Sequence, residues 1–471
     1  MSEEKPNILI FFGEQHRGDC LSSAGHPVLL TPNIDHIGGQ GTRFKSAYST
    51  CPVCVPARRS LISGQSPFTH GARTNVVTEW DIRNTLPQMM KENGYETAWI
   101  GRSMHQYPEE KKFGWEKMTW SKSYEENEYH AFLDRNLPEG GAYYHLSGVM
   151  HNDWTARSFH LPEHLHHTNW TIHEAQKFLD SRDTDRPFCM VVSFLASHPP
   201  LIPPTFYMDR YLRTGVPDPA IGDWAEPPQN GGIGEGVSSV KVDLKGEALL
   251  SCRAGYYGLI NHMDDQIRRL MNGVLFGVNL NDTAIIYTAD HGEMLGDHYM
   301  WRKSVPYEGS SHLPMLIQAP PSFGFPKGQV LDHPVCLEDI VPTILDLAGV
   351  SIPDTVEGRS LVPLLSGETG TEWRDYVHIE CASLHARHHT LTDGKEKFIW
   401  FTEDGKEQFF RLTDDPLECE DLINKLEEQE CIEHWRIRMI QELKERPEGF
   451  SDGKKLIPGC EYPGDGRHYH E

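Results

Sequence analysis

Short unbroken apolar runs alternate with segments of helical periodicity through the first three quarters of the chain. NILIFF (7–12) continues without a polar break into Gly13, which predicts a strand covered on both faces. YETAWIG (95–101), FCMVVSFLA (188–196) and TAIIYTAD (283–290) have the same character, and the last stops at a carboxylate. TPNIDHIGGQG (31–41) predicts a short helix capped by Thr31 and stopped by Gly41. The stretch 247–274 carries helix-spaced apolar residues and ends near Gly273, and LEDIVPTILDLAGV (337–350) is an amphipathic helix closed by Gly349. The alternation predicts an α/β fold, with a large mixed, mostly parallel sheet sandwiched by helices.

The pattern changes after about 370. HHTLTDGKEKFIWFTEDGKEQFFRL (388–412) predicts two or three antiparallel strands joined by Asp-Gly turns, and 426–446 predicts a long amphipathic helix. The expected division is a large catalytic domain over 1–370 and a smaller α+β subdomain over 371–471. The Pro- and Gly-rich stretch 214–236 reads as a long surface loop near the site, and no internal repeat is found.

Composition narrows the function classes. The 471 residues exceed the roughly 250–300 at which a single core stops growing, which supports two units. The formal charge of −24 opposes nucleic acid and anionic membranes as partners. A small anionic substrate then needs a local cationic pocket or a metal. No secretory signal and no stretch approaching the ~20 apolar residues of a membrane span is found. The ten cysteines are scattered rather than arranged as a disulfide framework, so the chain reads as cytoplasmic with reduced thiols, or periplasmic if a leader has been removed.

Functional groups of open α/β sheets gather at the carboxyl ends of strands. Gly13-Glu14-Gln15-His16 ends the first strand, Ser197-His198-Pro199-Pro200 follows 188–196, and Asp290-His291-Gly292-Glu293 follows 283–289. Taken singly, a strand-end Asp is an ordinary cap and a lone His an ordinary polar residue. Jointly they could bring two carboxylates, an amide oxygen and an imidazole to one edge, a donor set suited to a divalent cation.

The other candidate is STCPVCVPARRSLISGQ (49–65). Its C-x-x-C pair permits a redox reading, which requires the pair at a helix start. A zinc site needs a second ligand pair, and no other C-x-x-C occurs. Neither explains why Cys54-Val55-Pro56-Ala57-Arg58 leads into an amphipathic SLISG turn.

Here the chain resembles the sulfatase family of the alkaline-phosphatase superfamily, whose signature is C-x-P-S/A-R followed by x-x-L-x-T/S-G. The matching residues are Cys54, Pro56, Ala57 and Arg58, then Leu61, Ser63 and Gly64. Five further segments match in order: NILIFFGEQHRGDC, TPNIDHIGGQGTRFKSAYS, TADHGEMLGDHYMWRKSVPYEGSSHLPMLI, EDIVPTILDLAGVSIPDTVEGRSLVPLLSG and FFRLTDDPLECEDLIN. The first belongs to the branch that writes A-D-Q-H-R.

The resemblance implies that Cys54 is oxidised to formylglycine, whose hydrate is the nucleophile and a metal contact. It implies Glu14, Gln15, Asp290 and His291 as ligands of one divalent cation, most readily Ca2+, with Mg2+ or Mn2+ as alternatives. Arg58 would stabilise the gem-diol, Lys303 would bind sulfate and assist the leaving group, and His198 would bind sulfate or act as general acid. His105 matches the base of a G-K-x-H motif, and Asn75 a substrate-contacting position. The implied partners are a small sulfate-ester substrate, organic or sugar, and a formylglycine-generating or anaerobic sulfatase-maturating enzyme; a homo-oligomer stays open.

Two departures are visible. Glu14 stands where the family writes Asp, and a flexible Ca2+ shell absorbs the extra methylene better than a strict Mg2+ octahedron. The G-K-x-H segment reads Gly101-Arg102-Ser103-Met104-His105, so either Arg102 supplies the sulfate-binding cation or Ser103 leaves it missing. The expected function is sulfate-ester hydrolysis, with a phosphonate monoester or phosphodiester hydrolase, or a catalytically silent family member, as alternatives. The His-rich stretch with His145, His151, His160, His164, His166 and His167 is expected to contact substrate or to be a solvated loop.

Overall fold

The computed structural model describes residues 5–76, 78–122, 127–137, 147–236, 239–272, 279–384 and 386–465. Eight strands form the main sheet: β1 (Asn7–Glu14), β2 (Thr42–Tyr48), β3 (Glu96–Arg102), β4 (Lys117–Ser121), β5 (Phe188–Ser197), β6 (Thr283–Ala289), β7 (Met315–Gln318) and β8 (Gln329–Cys336). Their order is β4-β3-β5-β1-β6-β7-β2-β8. All neighbours are parallel except β7, which runs antiparallel to β6 and β2.

The pleat of β1 explains the two-layered core. Leu9 and Phe11 face one apolar cluster with the helix Gly246–Met271. Ile8, Ile10 and Phe12 face the other, with Ala57, Leu61 and Ile62 of the helix Cys54–Ser63 and with the helix Ile340–Leu347. Both faces are covered, so β1, β3, β5 and β6 are buried along almost their whole lengths and carry the apolar runs from which they are predicted.

Thr31 does not cap the helix Pro32–Gln40 as expected. Its hydroxyl is held by Ser22 and Asp35, and Asp264 from the long helix accepts from the Asn33 and Ile34 amides at 3.0 and 2.7 Å instead. A tertiary carboxylate thus replaces the local cap.

The second sheet is antiparallel, β9 (Val377–Ser383), β10 (Ala386–Thr392), β11 (Glu396–Phe401) and β12 (Glu407–Arg411), packed against the helix Gln429–Glu442. The turn at Asp393-Gly394 has its glycine at φ +83, a conformation that costs other residues. The sheet docks directly on the Cys54 loop: the Glu380 amide donates to the Thr50 carbonyl at 2.8 Å and the Ala382 amide to Arg73 at 2.9 Å.

On this subdomain Glu442 lies 3.4 Å from His378 and accepts from the Tyr376 hydroxyl at 2.8 Å. Burial would raise its carboxyl, but the His378 contact and the Tyr376 hydrogen bond hold it at about 2, below the ordinary 4.5. An acid depressed in the folded state stabilises above its unfolded pKa and loses that contribution as pH falls from 4.5 towards 2. Glu442→Gln is therefore expected to cost about 1 kcal/mol in urea unfolding at about pH 5, since the group is partly exposed. The deficit should shrink at about pH 3; a constant deficit refutes the ion-pair account.

All ten cysteines are free, and among the described residues no helix is long and apolar enough to cross a membrane.

Candidate active site

The central strands β3, β5, β1 and β6 are consecutive in the sheet, and their carboxyl ends carry Arg102, His198, Glu14 and Asp290. Adjacent parallel strands end side by side, so residues remote in sequence meet there. Cys54 is the first residue of a wholly buried helix and is placed against this edge. Its Sγ is 3.3 Å from His291 Nε2.

Arg58, one helical turn further on, is fully buried and lies over the Phe12 ring at 5.1 Å. One guanidinium nitrogen donates to the Ser103 carbonyl at 3.1 Å and to Ser193 Oγ at 3.3 Å; the other reaches Asp290 at 3.3 Å and Glu14 at 3.5 Å. Arg102 donates its Nε to Glu14 at 2.7 Å. Burial by itself would raise the Glu14 carboxyl, yet the guanidinium groups of Arg102 and Arg58 hold it well below the usual range.

Gln15, at φ +66, donates its backbone N–H to Asp290 at 2.9 Å. Its side-chain oxygen accepts from Lys303 Nζ at 2.7 Å, and its amide nitrogen donates to Glu293. His105, at φ +54, places Nε2 3.8 Å from Glu14. Asn75 accepts from the Val55 amide at 3.1 Å, so its carbonyl is held at the start of the Cys54 helix.

Two histidines have their tautomers set by backbone carbonyls. His291 donates Nδ1–H to Gly292 at 2.9 Å and His198 donates Nδ1–H to Pro199 at 2.6 Å, because a carbonyl can only accept. Burial lowers the pKa of both; Lys303 and His151 add to this at His198, and Asp290 opposes it at His291. Each neutral ring therefore offers Nε2 as a lone pair, and that of His291 faces Cys54 and Asp290.

Two overlapping groups of donors could hold a divalent cation. Ligand atoms of Glu14, Cys54 and His105 lie within 4.8 Å of one another, as do those of Cys54, Asp290 and His291. Fixing a histidine through its other nitrogen is the outer-shell device of metal sites.

The sequence reading missed the roles of Glu293 and His151. Glu293 is buried and accepts from Gln15, from the Leu295 amide at 2.9 Å and from the Arg302 amide. His151 stacks on His198 with ring centroids 4.4 Å apart. Glu293 was visible only as the last member of a strand-end cluster, and nothing in the His-rich stretch distinguishes His151. Of the other histidines there, His166 and His167 are buried, and His145 lies outside the described residues.

The family model "Sulfatase" matches residues 6–350, and "N-sulphoglucosamine sulphohydrolase, C-terminal" matches 296–445. An arylsulfatase of Clostridium perfringens (strain 13 / Type A) is 37% identical over 98% of both chains. A choline-sulfatase of Rhizobium meliloti (strain 1021) is 27% identical over 85% of this chain and 79% of its own. A phosphonate monoester hydrolase structure from Agrobacterium radiobacter superposes with TM-score 0.80 at 24% identity, covering 93% of this chain and 95% of that one, which shows the shared fold. The chain belongs to the sulfatase family, the sulfuric-ester hydrolases of the alkaline-phosphatase superfamily.

Proposed function

We propose that the protein hydrolyses the sulfate ester of a small organic or sugar alcohol, using Cys54 converted to formylglycine and one divalent cation. The observation that supports this reading is the convergence of Cys54, His291, Asp290, Glu14 and His105 at the N-terminus of a buried helix, with Arg58 joining both carboxylates.

Electrostatics favours this substrate class. Glu14 and Asp290 face Arg58, Glu14 also faces Arg102, and Gln15 lies between Glu293 and Lys303, so the charges of these three carboxylates and three cations cancel. A divalent cation adds net positive charge that an anionic ester offsets, in a protein of charge −24. Glu14, Gln15, Asp290 and His291 would hold the cation, and Ca2+ suits the longer Glu14 arm. When bound, it supplies Lewis-acid stabilisation of charge on the sulfuryl oxygens. As an aldehyde hydrate, residue 54 supplies one hydroxyl as nucleophile and a second whose deprotonation expels sulfate.

The chain's own groups do the rest. Lys303 and the amino end of the Cys54 helix contribute fixed positive potential at the ester. His198, expected to bind sulfate or act as general acid, has Nδ1–H committed to the Pro199 carbonyl, so Nε2 is the atom left to face the ester and donates only when the ring is protonated. His105, beside Glu14, is placed to take or hold a proton.

The test is peptide mass spectrometry across 46–65 of protein co-expressed with a formylglycine-generating or anaerobic sulfatase-maturating enzyme. Residue 54 is expected lighter by the change from –CH2SH to –CHO. An aryl sulfate is expected to turn over faster than a phosphonate monoester or phosphodiester, with activity lost on chelation and restored by Ca2+. An unmodified thiol in fully active protein overturns the nucleophile assignment, and a faster phosphonate ester overturns the substrate class.

A further inference from the structure

A cleft of about 440 Å³ opens between the main domain and the second sheet, in the range of small-molecule pockets. Lys303 lines it, and the same Lys303 Nζ reaches Gln15, so the cleft abuts the reacting centre. Trp301 and Trp224 contribute aromatic surface from the main domain, and Phe401 from β11.

Its charges are not mixed at random. Glu226, Glu403, Asp404, Lys241 and Lys406 are exposed at the mouth. Arg387, from β10, lies further in: its side chain is 28% exposed against 75% for Glu403, its nearest acid at 3.7 Å. The Arg387 Nε is buried without a hydrogen-bond partner among the described residues. Nε is closed to solvent, so the edge a ligand anion in the cleft can reach is the one carrying Nη1, and Glu403 approaches that edge only to 3.7 Å, beyond hydrogen-bond distance. Lys303 is already assigned to the ester group, so Arg387 is the inner cation left for a second anion.

We propose that this cleft is the leaving-group pocket and that it takes a short ring alcohol, sugar or aryl, carrying a second anionic group bound by Arg387. The cleft's volume of about 440 Å³ limits the ligand to a short one, and the three acids and two lysines at the mouth give an extended polyanion no net attraction. The inference rests on the sulfatase reading above.

The experiment compares para-nitrophenyl sulfate with the same ester bearing a ring carboxylate meta to the ester oxygen. In wild type, kcat/KM is expected to favour the carboxylated ester. In Arg387→Met the ratio of carboxylated to plain kcat/KM is expected to fall about 10- to 100-fold, the scale of a charge-assisted hydrogen bond. In Glu403→Gln, which removes the competing acid, the ratio is expected to rise, a gain that misfolding cannot mimic. Calorimetric binding of the two product phenols repeats the comparison without turnover. Phenol binding that keeps the Arg387 dependence while no sulfate ester reacts overturns the sulfatase reading and leaves the pocket intact. An unchanged ratio in both variants, or a wild-type preference for the plain ester, overturns the pocket.

Discussion

Cys54→Ala is expected to lower kcat for sulfate-ester hydrolysis by roughly three to six orders of magnitude, the scale seen when a covalent nucleophile is removed. The residue is buried at the first position of its helix, 3.3 Å from His291, with Glu14, His105 and Asp290 donor atoms close by. The substitution removes only Sγ from a site already walled by these groups, so folding should persist and the loss should lie in kcat. Cys54→Ser separates the two functions of the side chain. A serine retains one hydroxyl but not the second, so it should release about one equivalent of alcohol and then stall as a sulfate ester, visible by intact mass. If Cys54→Ala turned over within tenfold of wild type, the nucleophile would have to be another group.

In chelator-treated, metal-free protein, Arg58→Met is expected to cost about 3–5 kcal/mol of unfolding free energy, because it leaves buried carboxylates without their shared cation. Arg58, Glu14 and Asp290 are fully buried, and Arg58 lies within 3.3 and 3.5 Å of the two acids. Methionine keeps most of the volume and the contact with Phe12, so a cavity does not account for the loss. Glu14 retains Arg102 at 2.7 Å, whereas Asp290 keeps no arginine, so Asp290 should carry most of the penalty. Adding Asp290→Asn should then recover part of the lost stability, read as a coupling in a double-variant cycle of urea unfolding. An unfolding midpoint equal to that of wild type refutes the charge-compensation role.

The sequence by itself determined the α/β class, the four central strands and the residue types at their ends. The physical reason is burial on both faces: β3, β5, β1 and β6 are neighbours covered above and below, so each reads as an unbroken apolar run. The flanking strands were not legible. β4 and β8 are edge strands with exposed positions, β7 has four residues, and β2 alternates polar with apolar. β9 pairs with β10 next to it in sequence, but VHIECAS mixes polar with apolar residues and its other edge is covered by Thr50 and Arg73 from far away in the chain.

At the site, the residue types and their strand-end placement could be read from local sequence, as could the motif around Cys54. Only the tertiary structure decided how their charges are shared. It set Arg102 on Glu14 and Lys303 on Gln15, turned His291 Nε2 towards Cys54, stacked His151 on His198, and brought Arg387 from the second sheet to a cleft beside Lys303. Such pairings depend on distances between segments hundreds of positions apart, which parallel strands bring side by side and which no local pattern of polar and apolar residues records.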